Sequence, residues 1–144
     1  MCQCKKHKGF SLIELIIAIA IVAIITSVAL PSYLSQVARS NRAEGKSFLL
    51  DVASRQERYY TANSEYATDA ELMNPTSETG LYTLAVDQMG TNDTRYRLIA
   101  EETWGDTYCG NLTLTNTNTR SIAAVPNPTT ATPAEIDLIN ECWR

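Results

Sequence analysis

The sequence predicts an α+β fold in which one long N-terminal helix packs on a small antiparallel β-sheet. Three features of the 144-residue chain lead to this prediction: an apolar segment, a helical spacing of apolar residues that continues after it, and four short alternating runs after residue 80. A chain of this length is typical of one domain. The predicted segments are a leader at 1–9, a membrane-spanning helix at 10–30, its amphipathic continuation at 31–62, and a globular head at 63–144 with a connecting loop at 63–80, a sheet at 81–125 and a tail at 126–144.

The charge of the chain is unevenly distributed. The formal net charge is −4, from 12 basic and 16 acidic residues, but three of the bases lie before Gly9. From Phe10 onward, 9 bases stand against 16 acids, a net charge of −7. Because binding to a phosphate backbone depends on clustered Lys and Arg, the composition makes no strong case for nucleic acid as a partner.

The apolar segment is long enough to cross a membrane. It runs from Phe10 to Leu30, 21 residues with one charge, and at a helical rise of about 1.5 Å per residue it spans about 30 Å, the thickness of a bilayer core. Three lysines precede it (Lys5, Lys6 and Lys8), which predicts a cytoplasmic N-terminus and an exported C-terminus. No small-residue cleavage pattern occurs before Pro31, so we expect the segment to be retained.

Glu14 is the one charge in this segment. Near the start of a bilayer span an unpaired carboxylate costs about 2–3 kcal/mol on insertion scales. Cleavage of the peptide bond after Gly9 would give Phe10 an ammonium group one helical turn from Glu14, on the same face. The alternative is an acid that extends to the membrane interface from the end of the span.

These residues carry a resemblance to a known family. The stretch KGFSLIELIIAIAIVAIITSVALPSY resembles the N-terminal signature of type IV pilins, with a basic leader ending in glycine, Phe10 first and Glu14 fifth in the mature chain, and an apolar run closed by Pro31. The resemblance implies that a prepilin peptidase cuts between Gly9 and Phe10 and methylates the new amino terminus. It also implies that Glu14 pairs with the amino terminus of an adjoining subunit during filament assembly. Related filaments partly unwind the helix just before the position of Pro31, and the β-branched residues there together with the proline allow this. The leader cysteines, Cys2 and Cys4, have no role that the motif assigns.

The residues after Pro31 read as an amphipathic helix. Apolar and small residues recur at three- and four-residue steps: Tyr33, Leu34, Val37, Gly45, Phe48, Leu49, Val52, Tyr59 and Tyr60. Charged residues occupy the other positions: Arg39, Arg42, Lys46, Asp51, Arg55, Glu57 and Arg58. This helix has one stripe to bury, and the sheet is the element that we expect to cover it.

The sheet is predicted from four partly alternating runs: LYTLAV at 81–86, RYRLIAEE at 95–102, GNLTLT at 110–115 and RSIAAV at 120–125. Turns are predicted at 89–93 and 116–118, where Gly, Asn and Asp cluster. The segment 63–80 is polar and contains Pro75 and Gly80, so it reads as a connecting loop. In the tail, one helical turn is predicted from Ala134 to Asn140.

Two cysteines remain in the exported part of the chain, Cys109 and Cys142. An exported body with two cysteines favours one disulfide, and two free buried thiols are the alternative. The resemblance adds that small pilins typically close a C-terminal loop with one disulfide. The C-terminal Cys-Trp pair and the segment at 42–68 most resemble PilE-like minor pilins, which are incorporated sparsely among major subunits.

The predicted function is therefore that of a structural subunit, not an enzyme. His7 is the only histidine and lies in the leader, so no nucleophilic triad or histidine-rich zinc site can be built in the mature chain, and we expect no cofactor and no metal. The expected partners are other pilin subunits, the prepilin peptidase, the pilus assembly machinery, and the inner membrane before assembly into an extracellular pilus. Such a pilus would support twitching motility, adhesion or DNA uptake.

Two alternatives stay open. A pseudopilin of a type II secretion system shares the first sixty residues and often has a calcium site in place of the disulfide. A binding module at the filament surface, either an adhesin or a DNA-uptake receptor, would need a basic strip on the head, for which Arg95, Arg97 and Arg120 are the candidates.

Overall fold

The computed structural model describes residues 10–68, 72, 75–89 and 94–144. The chain forms two compact units, of which the first ends at Val37 and the second runs from Ala38 to Arg144. The elements are α1 (Leu12–Asn63), β1 (Tyr82–Met89), β2 (Arg95–Glu102), β3 (Leu112–Thr115), β4 (Arg120–Ile122) and α2 (Pro133–Trp143). A long helix followed by an antiparallel sheet confirms the predicted α+β fold class.

In the first unit, α1 is apolar on every side. It is the one helix among the described residues that is long and apolar enough to cross a membrane, and none of its most apolar 18-residue window is buried within the chain. The side chains of Thr26 and Ser27 donate to the carbonyl oxygens of Val22 and Ile24, at 2.6 and 2.8 Å. These bonds satisfy both hydroxyls inside the helix, which lowers the cost of placing them in lipid.

In the second unit, α1 buries one stripe against the sheet. Gly45, Phe48, Leu49 and Val52 are buried, as their three- and four-residue spacing predicts. Three predicted positions of the first unit, Tyr33, Leu34 and Val37, are exposed, and the described residues of that unit form no strand that could cover them. In the second unit Tyr59 is partly buried against the core, whereas Tyr60 is exposed and stacks on Tyr66.

Gln56, which is not among the residues of the predicted stripe, is also buried there. Its side-chain amide donates to the carbonyl of Ala67 and accepts the N–H of the same residue, both at 2.8 Å. With both groups satisfied, burial of the amide carries little cost. The glutamine therefore fixes the start of the connecting loop, which the sequence marked only as polar. Other residues of that loop are buried as well, namely Tyr66, Leu72 and Ser77.

The four strands pair antiparallel in the order β1-β2-β3-β4. The predicted bounds of β2 match the structure, whereas β1 extends three residues beyond the prediction, β3 begins two residues later and β4 ends at Ile122. Alternate residues of the strands point inward and form the core with α1: Tyr82, Leu84, Tyr96, Leu98, Ala100, Leu112, Leu114 and Ile122. The predicted turn at 116–118 is confirmed by the positive φ of Asn118 and by its N–H donated to Thr115. Residues 90–93 of the other predicted turn lie outside the described residues.

The tail forms a longer helix than the sequence predicted. Instead of a turn at Ala134 to Asn140, α2 covers Pro133–Trp143. A capping box starts it, in which Thr132 and Glu135 each bond the other's backbone N–H. The T-P-x-E pattern was visible in the sequence and identifies the start of this helix. At its end, the indole N–H of Trp143 donates to the carbonyl of Ser121 at 3.0 Å.

Gly45 allows α1 to approach β1 closely. A Cβ at this position would lie 2.7 to 3.0 Å from ring atoms of Tyr82. We expect Gly45→Ala to lower the free energy of unfolding by about 1–3 kcal/mol, because the buried ring must shift within a packed core. Urea unfolding of the full chain in detergent measures this, with Ser47→Ala at an exposed position of α1 as the control. An unchanged midpoint for Gly45→Ala would mean that the ring moves at no cost.

Candidate functional site

The first turn of α1 holds the two residues on which the predicted assembly site depends. The carbonyl of Ser11 accepts the N–H of Glu14 at 3.1 Å and that of Leu15 at 3.2 Å, so the helix is already formed at the acid. Glu14 is the acidic residue of this first turn, where the helix dipole favours a negative charge. Phe10 is 80% exposed and lies just before the helix. The two predicted residues are thus one turn apart, while Gly9 lies outside the described residues.

The helix surface around Phe10 and Glu14 is apolar on all sides as far as Leu30. Large aliphatic side chains from Leu12 to Leu30 are each about half exposed or more. Monomeric soluble proteins rarely expose contiguous apolar surface on this scale. A helix that is apolar all round needs lipid or other apolar helices as its environment.

Pro31 lies inside α1 and interrupts its hydrogen bonding without ending it. Because proline has no N–H, the carbonyl of Ser27 has no intrahelical donor four residues on. The helix is continuous across this position in the single chain. The missing bond nevertheless makes the turn before Pro31 the least costly place to unwind.

The head is closed by the disulfide that was predicted between Cys109 and Cys142. The S–S distance is 2.01 Å and the two Cα atoms are 5.9 Å apart. The bond joins the loop before β3 to α2, and both cysteines are buried. The predicted disulfide between Cys109 and Cys142 is confirmed.

A second link, between Arg42 and Asp106, was not predicted. The guanidinium Nε and Nη2 of Arg42 donate to the two carboxylate oxygens of Asp106 at 2.6 and 2.8 Å. The side chains are only 12% and 2% exposed, so Arg42 does not belong to the solvated face that its position in the sequence predicted. Asp106 also accepts the N–H groups of Tyr108 and Cys109, both at 3.1 Å. The pair therefore holds α1 against the loop that carries the disulfide.

The electrostatics of Asp106 follow from these bonds. Burial by itself raises the pKa of the carboxyl, but the hydrogen bonds from Arg42 and from the backbone of Cys109 outweigh burial and leave the pKa below its ordinary value. The hydrogen bond to Asp106 likewise raises the pKa of Arg42. Both groups stay charged at neutral pH.

We expect Asp106→Asn to lower the free energy of unfolding by about 3 kcal/mol at pH 7, since it leaves the buried Arg42 charge unpaired. A carboxyl whose folded-state pKa is lowered stabilises the fold above its unfolded pKa of about 3.9, and this contribution is lost as the pH falls through the folded-state value. The difference between wild type and variant should therefore shrink below about pH 4. Urea unfolding at pH 7 and pH 3 measures it, with Asp137→Asn on the exposed side of α2 as the control. A difference that is the same at both pH values would contradict the role of the ion pair.

The three arginines proposed for a basic strip do not all lie together, because Arg95 and Arg97 share the outer face of β2 and Arg120 lies on the other face of the sheet. Arg97 points outward and pairs with Asp87 on the neighbouring strand. Arg120 pairs in register with the buried Leu114, which places it on the face of the sheet that packs on α1. Its guanidinium lies 5.3 Å from the ring centre of Trp143. The expected strip is therefore divided between two faces, and Arg120 lies with the cations of α1.

The described part of the chain holds no group of three or more His, Cys, Asp or Glu side chains that could bind a metal ion. Two of its carboxylates accept hydroxyl groups instead, Glu44 from Thr79 and Glu135 from Thr132, each at 2.7 Å.

Comparisons with known proteins agree with this arrangement. A family described as "Type IV minor pilin ComP, DNA uptake sequence receptor" matches residues 31–113, and a "Prokaryotic N-terminal methylation motif" matches residues 4–30. The "Type IV wide pilus major component PilA4" of Thermus thermophilus is 40% identical over 65 residues, 45% of this chain and 50% of that protein. A "Fimbrial protein" of Neisseria meningitidis is 37% identical over 84 residues, 56% of this chain and 49% of that protein. The chain thus spans about half the length of these curated relatives.

Among solved structures, a type IV pilin from Shewanella oneidensis is similar, with a TM-score of 0.47 and 21% sequence identity. The match covers 66% of this chain and 98% of that one.

Proposed function

The chain belongs to the type IV pilin family, and from this premise we propose that it is a minor pilin, processed by prepilin peptidase and assembled into a pilus through α1. The family consists of structural subunits of surface pili and not of enzymes, in agreement with the sequence analysis. The observation that carries the proposal is the methylation motif over residues 4–30, within which the exposed apolar helix begins with Glu14 in its first turn.

The proposed course begins in the inner membrane. The segment from Phe10 to Leu30 spans it with a cytoplasmic N-terminus, and the peptidase cuts after Gly9 and methylates the Phe10 amine. The apolar helix then leaves lipid for a bundle of pilin helices. There the Glu14 carboxylate pairs with the amine of an adjoining subunit and sets its axial position. Pro31 provides the turn at which the helix can unwind in the filament.

The cleavage after Gly9 and the assignment as a minor pilin can both be tested on sheared pili. Mass spectrometry should find the chain beginning at a methylated Phe10, with no peptide that contains residues 1–9. Quantification against the major subunit tests the minor class, which predicts that the chain is a small fraction of the pilin present. Intact residues 1–9 in assembled pili would contradict the processing, and a stoichiometry equal to that of the major subunit would contradict the minor class.

A second candidate function is DNA uptake, which the description of the matching family favours. Against it stand the net charge of −7 after Gly9 and the division of Arg95, Arg97 and Arg120 between two faces. A gel-shift titration of the detergent-solubilised chain with double-stranded DNA tests it. Binding that weakens steeply between 50 and 200 mM salt would support a DNA receptor, and absence of binding at low salt would exclude it.

The other alternative, a pseudopilin of a type II secretion system, shares the N-terminal segment. The buried disulfide between Cys109 and Cys142 supports a pilin over a pseudopilin. Deletion of the gene separates the two: loss of surface pili with secretion intact indicates a pilin, and the reverse indicates a pseudopilin.

A further inference from the structure

The second unit contains a pocket lined mainly by cations. Its volume is about 210 Å³, and it lies between α1 and the end of α2. Arg39, Arg42 and Lys46 line it from α1, and Glu141 and Arg144 from the other side. We call it the basic pocket. Arg120 of β4 adds a positive charge near the basic pocket, because its charge lowers the pKa of Lys46.

Only part of this positive charge is neutralised within the chain. Arg42 is paired with Asp106, and Glu141 accepts the hydroxyl of Tyr108 at 3.0 Å. None of the ion pairs in the described ranges involves Arg39, Lys46 or Arg144. The ammonium of Lys46 donates to the main-chain oxygen of Arg144, the last residue of the sequence, at 2.8 Å. As a carboxylate this group offsets one of the positive charges, and five bases still stand against three acidic groups at the pocket.

The clustering of positive charges around the basic pocket is electrostatically unfavourable in a single copy of the chain. Burial lowers the pKa of Lys46, and the positive charges of Arg42 and Arg120 lower it further. Residues 38–144 carry nine bases against fifteen acids, a net charge of −6, yet five of these bases surround one pocket. An anion in the pocket would relieve this repulsion.

The volume of the basic pocket limits the size of the anion that it can hold. At about 30 Å³ per water, the space corresponds to about seven waters, which suits one acidic side chain. The same unit presents such side chains on another face of α1. Glu44 and Asp51 line an open groove there with Glu78 from the connecting loop, and we call it the acidic groove. At 3.6 residues per turn, the positions of α1 that line the acidic groove are about two fifths of a turn from those that line the basic pocket.

We propose that the basic pocket of one copy binds an acidic side chain from the acidic groove of a second copy in the pilus. The two surfaces differ, so the contact is head-to-tail, the type that repeats into an open helical filament and not into a closed dimer. Asp51 and Glu78 are exposed, although Asp51 is paired with Arg55 of the same helix at 2.8 Å, and Glu44 is held at the groove by the hydroxyl of Thr79. None of the ion pairs in the described ranges involves Glu78. The inference rests on the proposed assembly into a pilus and not on the minor class, because it applies only where two copies adjoin. A subunit that is sparse among major subunits forms few such contacts, so the expected cross-link is a small fraction of the chain.

Lys46 makes the proposal testable by zero-length cross-linking, since it is the only lysine after residue 9. A carbodiimide activates a carboxylate in contact with an amine. The amine then attacks, an amide bond forms, the activating group leaves as a urea and the amine loses a proton. In sheared pili we expect a product of twice the chain mass, with Lys46 joined to a peptide that contains Glu44, Asp51 or Glu78. Its yield should fall severalfold at 1 M salt, where partly exposed charges are screened.

Two variants complete the experiment. Lys46→Arg keeps the charge without a reactive amine at this position, so it should enter pili at the wild-type level and lose the cross-link to the peptides that contain Glu44, Asp51 or Glu78. Lys46→Glu should reduce incorporation about fivefold, and combining it with Glu78→Lys should restore part of this loss.

Failure of the inference and failure of the proposed function give different results. Absence of the chain from sheared pili would overturn both. If the chain is present and wild type gives no Lys46 cross-link between two copies, or a cross-link only to a different pilin, the contact between copies is wrong while the subunit function stands.

Discussion

Glu14→Ala should reduce the amount of this chain in sheared pili by more than a hundredfold, without lowering its amount in the membrane. In the proposed assembly, Glu14 neutralises the Phe10 amine of an adjoining subunit inside a bundle of apolar helices. Removing one partner of a buried ion pair costs about 3–5 kcal/mol, and each 1.4 kcal/mol is a factor of ten in the equilibrium. Membrane insertion should improve if it changes at all, because the span loses its one charge. Immunoblots of sheared pili and of membrane fractions measure the two quantities.

Two further variants separate charge from helix structure at the same turn. Glu14→Gln keeps the size and the hydrogen-bonding groups but not the charge, and we expect it to fail in assembly as the alanine variant does. Ser11→Ala changes the neighbouring turn without removing a charge and should assemble normally. Wild-type levels of Glu14→Ala in sheared pili would contradict the pairing.

Replacing both Cys109 and Cys142 with serine should lower the free energy of unfolding of the head by about 4 kcal/mol. The bond closes a loop with a sequence separation of 33 residues, and the chain-entropy model gives about this value for such a loop. The loss is large beside the 5–15 kcal/mol that typical domains have. It acts on α2, whose packing in the head depends on the buried residues Ile139, Cys142 and Trp143. Urea unfolding of the detergent-solubilised chain, followed by near-ultraviolet circular dichroism, measures it.

The leader cysteines provide the control for this prediction. Replacing Cys2 and Cys4 with serine should leave the unfolding midpoint unchanged, whereas adding a thiol reductant to wild type should reproduce the effect of the double variant. If the double variant unfolds at the wild-type midpoint, the packing of α2 holds the tail without the covalent bond.

The elements of this fold could be predicted because each depends on a local pattern. The apolar run from Phe10 to Leu30 and the spacing of Phe48, Leu49 and Val52 specify α1 without reference to the remainder of the chain. The predicted bounds of β2 were correct for the same reason, since alternation and turn residues mark both ends. The bounds of β4 depend on pairing with β3, and there the prediction was three residues too long.

The residues of the candidate sites also differ in whether a local pattern or a long-range contact determines them. The positions of Phe10 and Glu14 follow from a motif in fixed register, whereas the partners of the arginines do not. Arg42 meets Asp106 across 64 residues of sequence, and no periodicity contains that information. Arg120 lies near Lys46 because its register with Leu114 turns it toward α1.

The sequence by itself thus determined the long apolar helix, the position of Glu14 in it, the sheet, and the number of cysteines available to close the head. The reason is that spacing along a chain dictates which residues share a face of a helix or strand. Only the tertiary structure decided which charges come together. Strand register and the packing of α2 gather five bases around one pocket in an acidic head, and the contact that we propose between copies depends on that gathering.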